Sequence, residues 1–163
     1  MLEVRMTHDI GGDEASFWAR LADPSFQIRM LTEGLGYPAA ELLETHTRAG
    51  KTSWTMHVTP NVKLPPAVMK VIGGSLAYTE TATVDPSAGR MTLDHVTAAL
   101  GKKLRLHGEI TTHMDPATGV LRRSYFQVEA KVFGIRTVLE HAVEGNIRAS
   151  LDATGAFLRA QLG

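Results

Sequence analysis

From Ile135 to Gly163 the chain carries Leu139, Val143, Ile147, Leu151, Leu158 and Leu162 at spacings of three, four or their multiples. That is the period of a helix with one apolar stripe. The spacing predicts one long amphipathic helix over 135–163. Such a stripe must lie against a large surface, and the large elements upstream all read as strands. A long helix gripped by a curved sheet makes a container, and a container of this kind suits a small apolar molecule.

Upstream, Leu2, Val4, Met6, His8 and Ile10 alternate with polar residues, the mark of a half-buried strand. Gly11-Gly12 ends it. Asp13-Glu14 opens a short helix bearing Phe17, Trp18 and Leu21, which Pro24 is expected to stop. Phe26, Ile28, Met30 and Leu31 suggest a second short helix ended by Gly34 and Gly36. Strands are expected over 40–48 and 52–59, joined at Ala49-Gly50-Lys51. A loop with a short helix starting near Pro66 follows. Four more strands are expected over 75–84, 90–100, 104–113 and 120–133. The turns between them are rich in Asp, Pro, Ser and Gly. Consecutive hairpins imply an antiparallel sheet. The predicted fold class is α+β: a curved seven-stranded sheet, two short helices after the first strand, and the long helix on the concave face. No linker or repeat divides the chain, so residues 1–163 are expected to form one domain.

Composition narrows the function. Lys plus Arg and Asp plus Glu both number 17, which leaves no electrostatic footprint for nucleic acid. No apolar run approaches the length of a membrane span, so stable membrane insertion is not expected. Cysteine is absent, which removes disulfides, thiolate metal sites and a cysteine nucleophile, and is compatible with a cytoplasmic protein. Met1 to Arg5 begins as strand alternation, without the pattern of a signal peptide.

This order of elements resembles the START-like helix-grip superfamily, which includes the birch-pollen-allergen-like proteins and the polyketide cyclase and lipid-transfer families. The stretch from Ser16 to Phe26 resembles the superfamily's first helix with its Asp23-Pro24 break, and Leu64-Pro65-Pro66 stands before the fourth strand as it does there. More narrowly, the chain resembles a bacterial branch of that superfamily. The resemblance implies a pocket between sheet and C-terminal helix for a hydrophobic or amphipathic ligand, lipid-like or polyketide-like. It implies no catalytic motif.

Strand parity selects the residues that face such a pocket. Trp54, Met56 and Val58 share one face. So do Leu76, Tyr78, Glu80, Ala82 and Val84, then Leu104, Leu106, Gly108 and Ile110, then Phe126, Val128, Ala130 and Val132. The fifth strand is ambiguous by hydrophobicity, so turn length must decide. Pairing Val84 with Met91 sets Glu80 opposite His95. A tight turn at Gly101-Lys102 sets His95 opposite Gly108, whose missing side chain would leave space above the imidazole. Both registers turn His95 inward, although a slip by one residue would reverse it. The candidate ligand-binding residues are Trp54, Met56, Met69, Tyr78, Glu80, His95, Leu106 and Phe126, with Val143 and Ile147 from the helix.

Burial raises the pKa of a carboxyl and lowers that of an imidazole, while a close Glu80–His95 pair opposes both shifts. The pair could be a buried structural hydrogen bond, a contact for a polar ligand head, or an acid–base couple. No other group rivals it. His107 and His113 are predicted outward, no metal-ligand spacing occurs, and no cofactor is expected. Arg122-Arg123 and Lys102-Lys103 read as solvated basic pairs. The helix near Val68, Met69, Val71 and Ile72, bounded by Pro65-Pro66 and Gly73-Gly74, could cover a cavity mouth or be a plain packed connection. Gly145 and Gly155 interrupt the long helix and are expected to serve close packing, a bend or ligand room. The expected function is binding or transport of a small amphipathic molecule. The alternatives are a cyclase- or dehydratase-like enzyme using Glu80 and His95, or an interaction module with a filled core. The oligomeric state is open.

Overall fold

The computed structural model describes residues 1–73 and 76–163. Its elements are β1 (Leu2–Asp9), α1 (Glu14–Leu21), α2 (Pro24–Arg29), β2 (Ala39–Arg48), β3 (Lys51–Thr59), α3 (Pro66–Ile72), β4 (Tyr78–Asp85), β5 (Arg90–Thr97), β6 (Gly101–Asp115), β7 (Gly119–Ala130) and α4 (Arg136–Leu162). The strands form one antiparallel sheet in the order β1-β7-β6-β5-β4-β3-β2. The α+β helix-grip architecture expected from the sequence is the one observed. Among the described residues, no helix is long and apolar enough to cross a membrane.

Local chemistry explains most boundaries. Asp13 caps α1 by accepting from the Ser16 amide at 2.9 Å. As expected, α1 stops before Pro24, with Asp23 already extended. Pro24 is also the first residue of α2, where a missing N–H costs nothing, and Asp23 caps α2 through the Ser25 amide. The chain then passes through a π turn at Met30–Gly34. The β2–β3 hairpin closes through two residues, Ala49 and Gly50, both at positive φ. That conformation matches the right-handed twist of the flanking strands, at a cost for Ala49, which carries a Cβ.

Several edges differ from expectation. β5 stops at Thr97 and β7 at Ala130, both short of the expected 100 and 133, while β6 is longer at both ends. The fourth strand begins at Tyr78; Ser75, its expected start, lies outside the described residues, as does Gly74 of the expected Gly73-Gly74 helix end. Between β5 and β6 the register is also corrected. A bulge after Val96 sets Thr97 opposite Gly101, so His95 faces Leu106, and Gly108 faces Leu93. The difference is two residues, so inward and outward faces are preserved.

The core lies between the concave sheet face and α4. Leu139, Val143, Ile147, Leu151 and Leu158 are buried on the helix, and Leu162 packs at its margin. Trp54, Met56, Val58, Val84, Phe126 and Val128 are buried on the sheet. The helix is tied to β7 at two places. The Ala130 amide donates to Glu140 at 3.0 Å, and Arg122 donates to the Leu151 carbonyl at 2.6 Å.

Candidate functional site

A cavity of about 190 Å³ opens between the concave face of the sheet, α4 and the segment from α2 to β2. Its walls are mainly Met30, Leu31, Met91, Leu93, Leu106, Ile110, Phe126, Ile147 and Leu158. The lining also includes the half-buried Tyr37, Pro60, Val62, Leu76, Asn146 and Ser150. Tyr37 and Ser150 approach at 3.3 Å across the gap between the π turn and α4.

Parity and the β4–β5 register bring Glu80 and His95 together on the inner face, as expected. Glu80 Oε1 lies 2.8 Å from His95 Nε2, and Glu80 Oε2 accepts from the Trp54 indole at 2.9 Å. Burial pushes the Glu80 carboxyl up, but the hydrogen bond and charge of His95 and the Trp54 N–H outweigh it, and it lies below the usual range. An ionised Glu80 fixes the imidazole with its Nε2 proton toward the carboxylate. Tyr78 stacks on the same ring, with centroids 4.1 Å apart. Burial and then the negative charge of Glu80 push the Tyr78 hydroxyl well up, so it stays a neutral donor.

Seven of the ten expected site residues line the cavity: Tyr78, Glu80, His95, Leu106, Phe126, Val143 and Ile147. Trp54 and Met56 do not. They are fully packed in the sheet, and Trp54 reaches the site only through Glu80. Met69 does not line it either. Val68 and Ile72 anchor α3 in the core while its flanks, Val62 and Leu76, border the cavity. The space expected above Gly108 is filled, because a Cβ there would stand 2.4 Å from the Phe126 ring. Phe157 packs on Phe26 and leaves the cavity free.

Of the cavity residues that sequence reasoning does not nominate, Arg122 is the charged one. Arg122, expected to be solvated, is 2% exposed and lines the cavity. Its parity on β7 is that of Phe126 and Val128, a signal that its charge overrides. It donates to Thr154 Oγ1 at 2.9 Å, to the Leu151 carbonyl and to His8 Nδ1 at 3.2 Å. Since Arg can only donate, His8 Nδ1 must accept, and Nε2 carries the proton toward Asp152 at 2.7 Å. Burial brings the guanidinium down to about 10 despite the Asp152 charge. Gly155 makes room for this cluster. A Cβ there would meet the His8 ring at 3.1 Å and Arg122 Nη2 at 3.3 Å. Among the described residues, no cluster of His, Asp and Glu could hold a metal ion.

Comparison with known structures agrees on the fold. TTHA0849 from Thermus thermophilus superposes with a TM-score of 0.67 at 13% identity, covering 99% of this chain and 100% of that one. A START superfamily protein from Mycobacterium smegmatis gives 0.62 at 10% identity, with 98% of each chain covered. The di-domain ARO/CYC BexL from the BE-7585A biosynthetic pathway gives 0.63 at 14%, covering 96% of this chain and 46% of its own. Identities this low speak to the START-like helix-grip fold alone. No curated protein matches the sequence. Residues 5–162 match the family described as "Protein of unknown function (DUF2505)", and the chain belongs to that family.

Proposed function

We propose that the protein binds a small amphipathic molecule in the cavity between its sheet and α4. The observation that carries this reading is the cavity itself: a mainly apolar chamber of about 190 Å³ with a few fixed polar groups in its lining. It is smaller than the roughly 300–1,000 Å³ typical of drug-sized ligands. It exceeds the cavity of about 150 Å³ that takes up benzene in an apolar core. Scaling from that case, about eight non-hydrogen atoms fit inside, with any longer tail extending beyond the chamber. Native mass spectrometry of protein purified without delipidation tests the reading. A retained molecule in this size range, released on unfolding, is the expected result. An unliganded protein that also shows no thermal shift across a panel of small acids, alcohols and aromatics would refute it.

A second reading is favoured by one contact. The 2.8 Å approach of Glu80 to His95 makes an oriented imidazole in a cavity wall, the arrangement an acid–base catalyst of the cyclase or dehydratase kind requires. Such an enzyme would lose turnover in His95→Ala while keeping ligand affinity. Unchanged rates would remove His95 from any chemistry.

A further inference from the structure

The cavity holds a buried cation with no carboxylate touching it. Arg122 is surrounded by a carbonyl, a hydroxyl and a neutral imidazole nitrogen. The nearest acid, Asp152, is reached only through His8 and is itself exposed. Moreover, Arg122 Nε has no hydrogen-bond partner among the described residues, and neither does Ser124 Oγ, two residues along the same face of β7. Buried N–H groups are rarely left unpaired, and a buried charge lacking a counter-ion is costlier still. A guanidinium offers planar, directional donors matched to a carboxylate.

We infer that the ligand is a small amphipathic acid whose carboxylate is received by Arg122, with its apolar body lying along Met91, Leu93, Ile110, Phe126 and Leu158. The inference rests on the binding reading above and adds the charge of the ligand. The Glu80–His95 pair does not compete for the acid group. On β7, Arg122 stands six residues from Val128, which lies in the His95 row, a separation of about 20 Å along the strand at roughly 3.3 Å per residue. The ionised Glu80 at that end repels a second carboxylate and so sets the direction of entry.

Isothermal titration calorimetry at pH 8 in 0.3 M salt tests this. Octanoate and 3-phenylpropanoate are compared with 1-octanol, 3-phenylpropan-1-ol and octylamine. Acids should bind at least tenfold more tightly than the matched alcohols, and the amine should not bind. Salt at this level screens exposed lysines and arginines but not a buried pair. Arg122→Gln should bring acid and alcohol affinities together. If that variant does not fold, the ¹⁵N-Nε resonance of Arg122 in the unaltered protein is the second readout, and it should shift with octanoate and not with octanol. Equal affinity for acids and alcohols overturns the inference while leaving the binding reading in place. Failure of every probe to bind removes both.

Discussion

His95 owes its position to two pairings that agree. Opposite Glu80 on β4 and Leu106 on β6, it faces inward by both. The second pairing differs from the expected one by two residues, and an even slip leaves the face unchanged. Turn chemistry therefore carries enough information to place the imidazole, but not enough to name its neighbour, because a bulge has no fixed sequence mark. Side-chain reach is less legible: nothing in the alternation shows Trp54 extending to Glu80. The charge of that carboxylate has a measurable consequence. Its folded pKa is depressed, so the stabilisation it supplies is present above its ordinary value of 4.5 and is lost as pH falls from there through the folded value. Glu80→Gln should cost about 1–3 kcal/mol at pH 7 by leaving charge-assisted bonds weakened. Urea unfolding at pH 7, 5 and 3 should show the gap to the unaltered protein unchanged between pH 7 and 5 and narrower at pH 3; a gap that stays constant throughout would mean Glu80 is not ionised in the fold. Gly108→Ala should cost about 1–3 kcal/mol, since the Phe126 ring must move from a site that a Cβ would enter to 2.4 Å. The ring's free direction is the cavity, so ligand affinity should fall along with thermal stability.

Among the elements, α4 is the most legible, because its apolar period survives over the whole helix. Its two interior glycines separate on contact with their surroundings. Gly145 is exposed, and a Cβ there would meet nothing within 4 Å. Gly145→Ala should therefore stabilise the protein by about 0.5–1 kcal/mol, a rise in melting temperature of about 1–4 °C. Gly155→Ala should lower it, since the helix gain is opposed by His8 and Arg122, which are held in place by their own hydrogen bonds. Differential scanning calorimetry of the two variants decides; stabilisation by both would mean the His8–Arg122 cluster is loose. That cluster shows where pattern reading fails. On β7, period-two alternation and the preference of charge for water give opposite answers for Arg122, and alternation is right. The resulting burial works against the charged form, bringing the guanidinium down to about 10, and so costs stability. Stability alone gives no reason for such a residue beside a cavity.

At the scale of the whole molecule, one sheet and one helix share one core, and β1 is held by β7 and α4 rather than by its sequence neighbours. Unfolding should be a single cooperative event. In urea, the fluorescence of Trp18 and Trp54 and the far-ultraviolet circular dichroism should change together; separated midpoints would divide the chain into independent units. The fold is legible at this scale because each hairpin is short and local. The cavity volume is not, because it depends on rings and long side chains such as Phe126, Phe157 and Arg122, whose directions no alternation specifies.

The pairing of β1 with β7 also bears on synthesis. Leu2 leaves the ribosome well over a hundred residues before its partner Val128. At about 5–20 residues per second that is a wait of roughly 6–25 s. During this interval the first strand has no edge to join, and its apolar side is open to chaperones or to other nascent chains. The chamber has no closed wall until α4 has emerged. Whatever molecule it takes therefore meets a complete binding chamber only once α4 is in place.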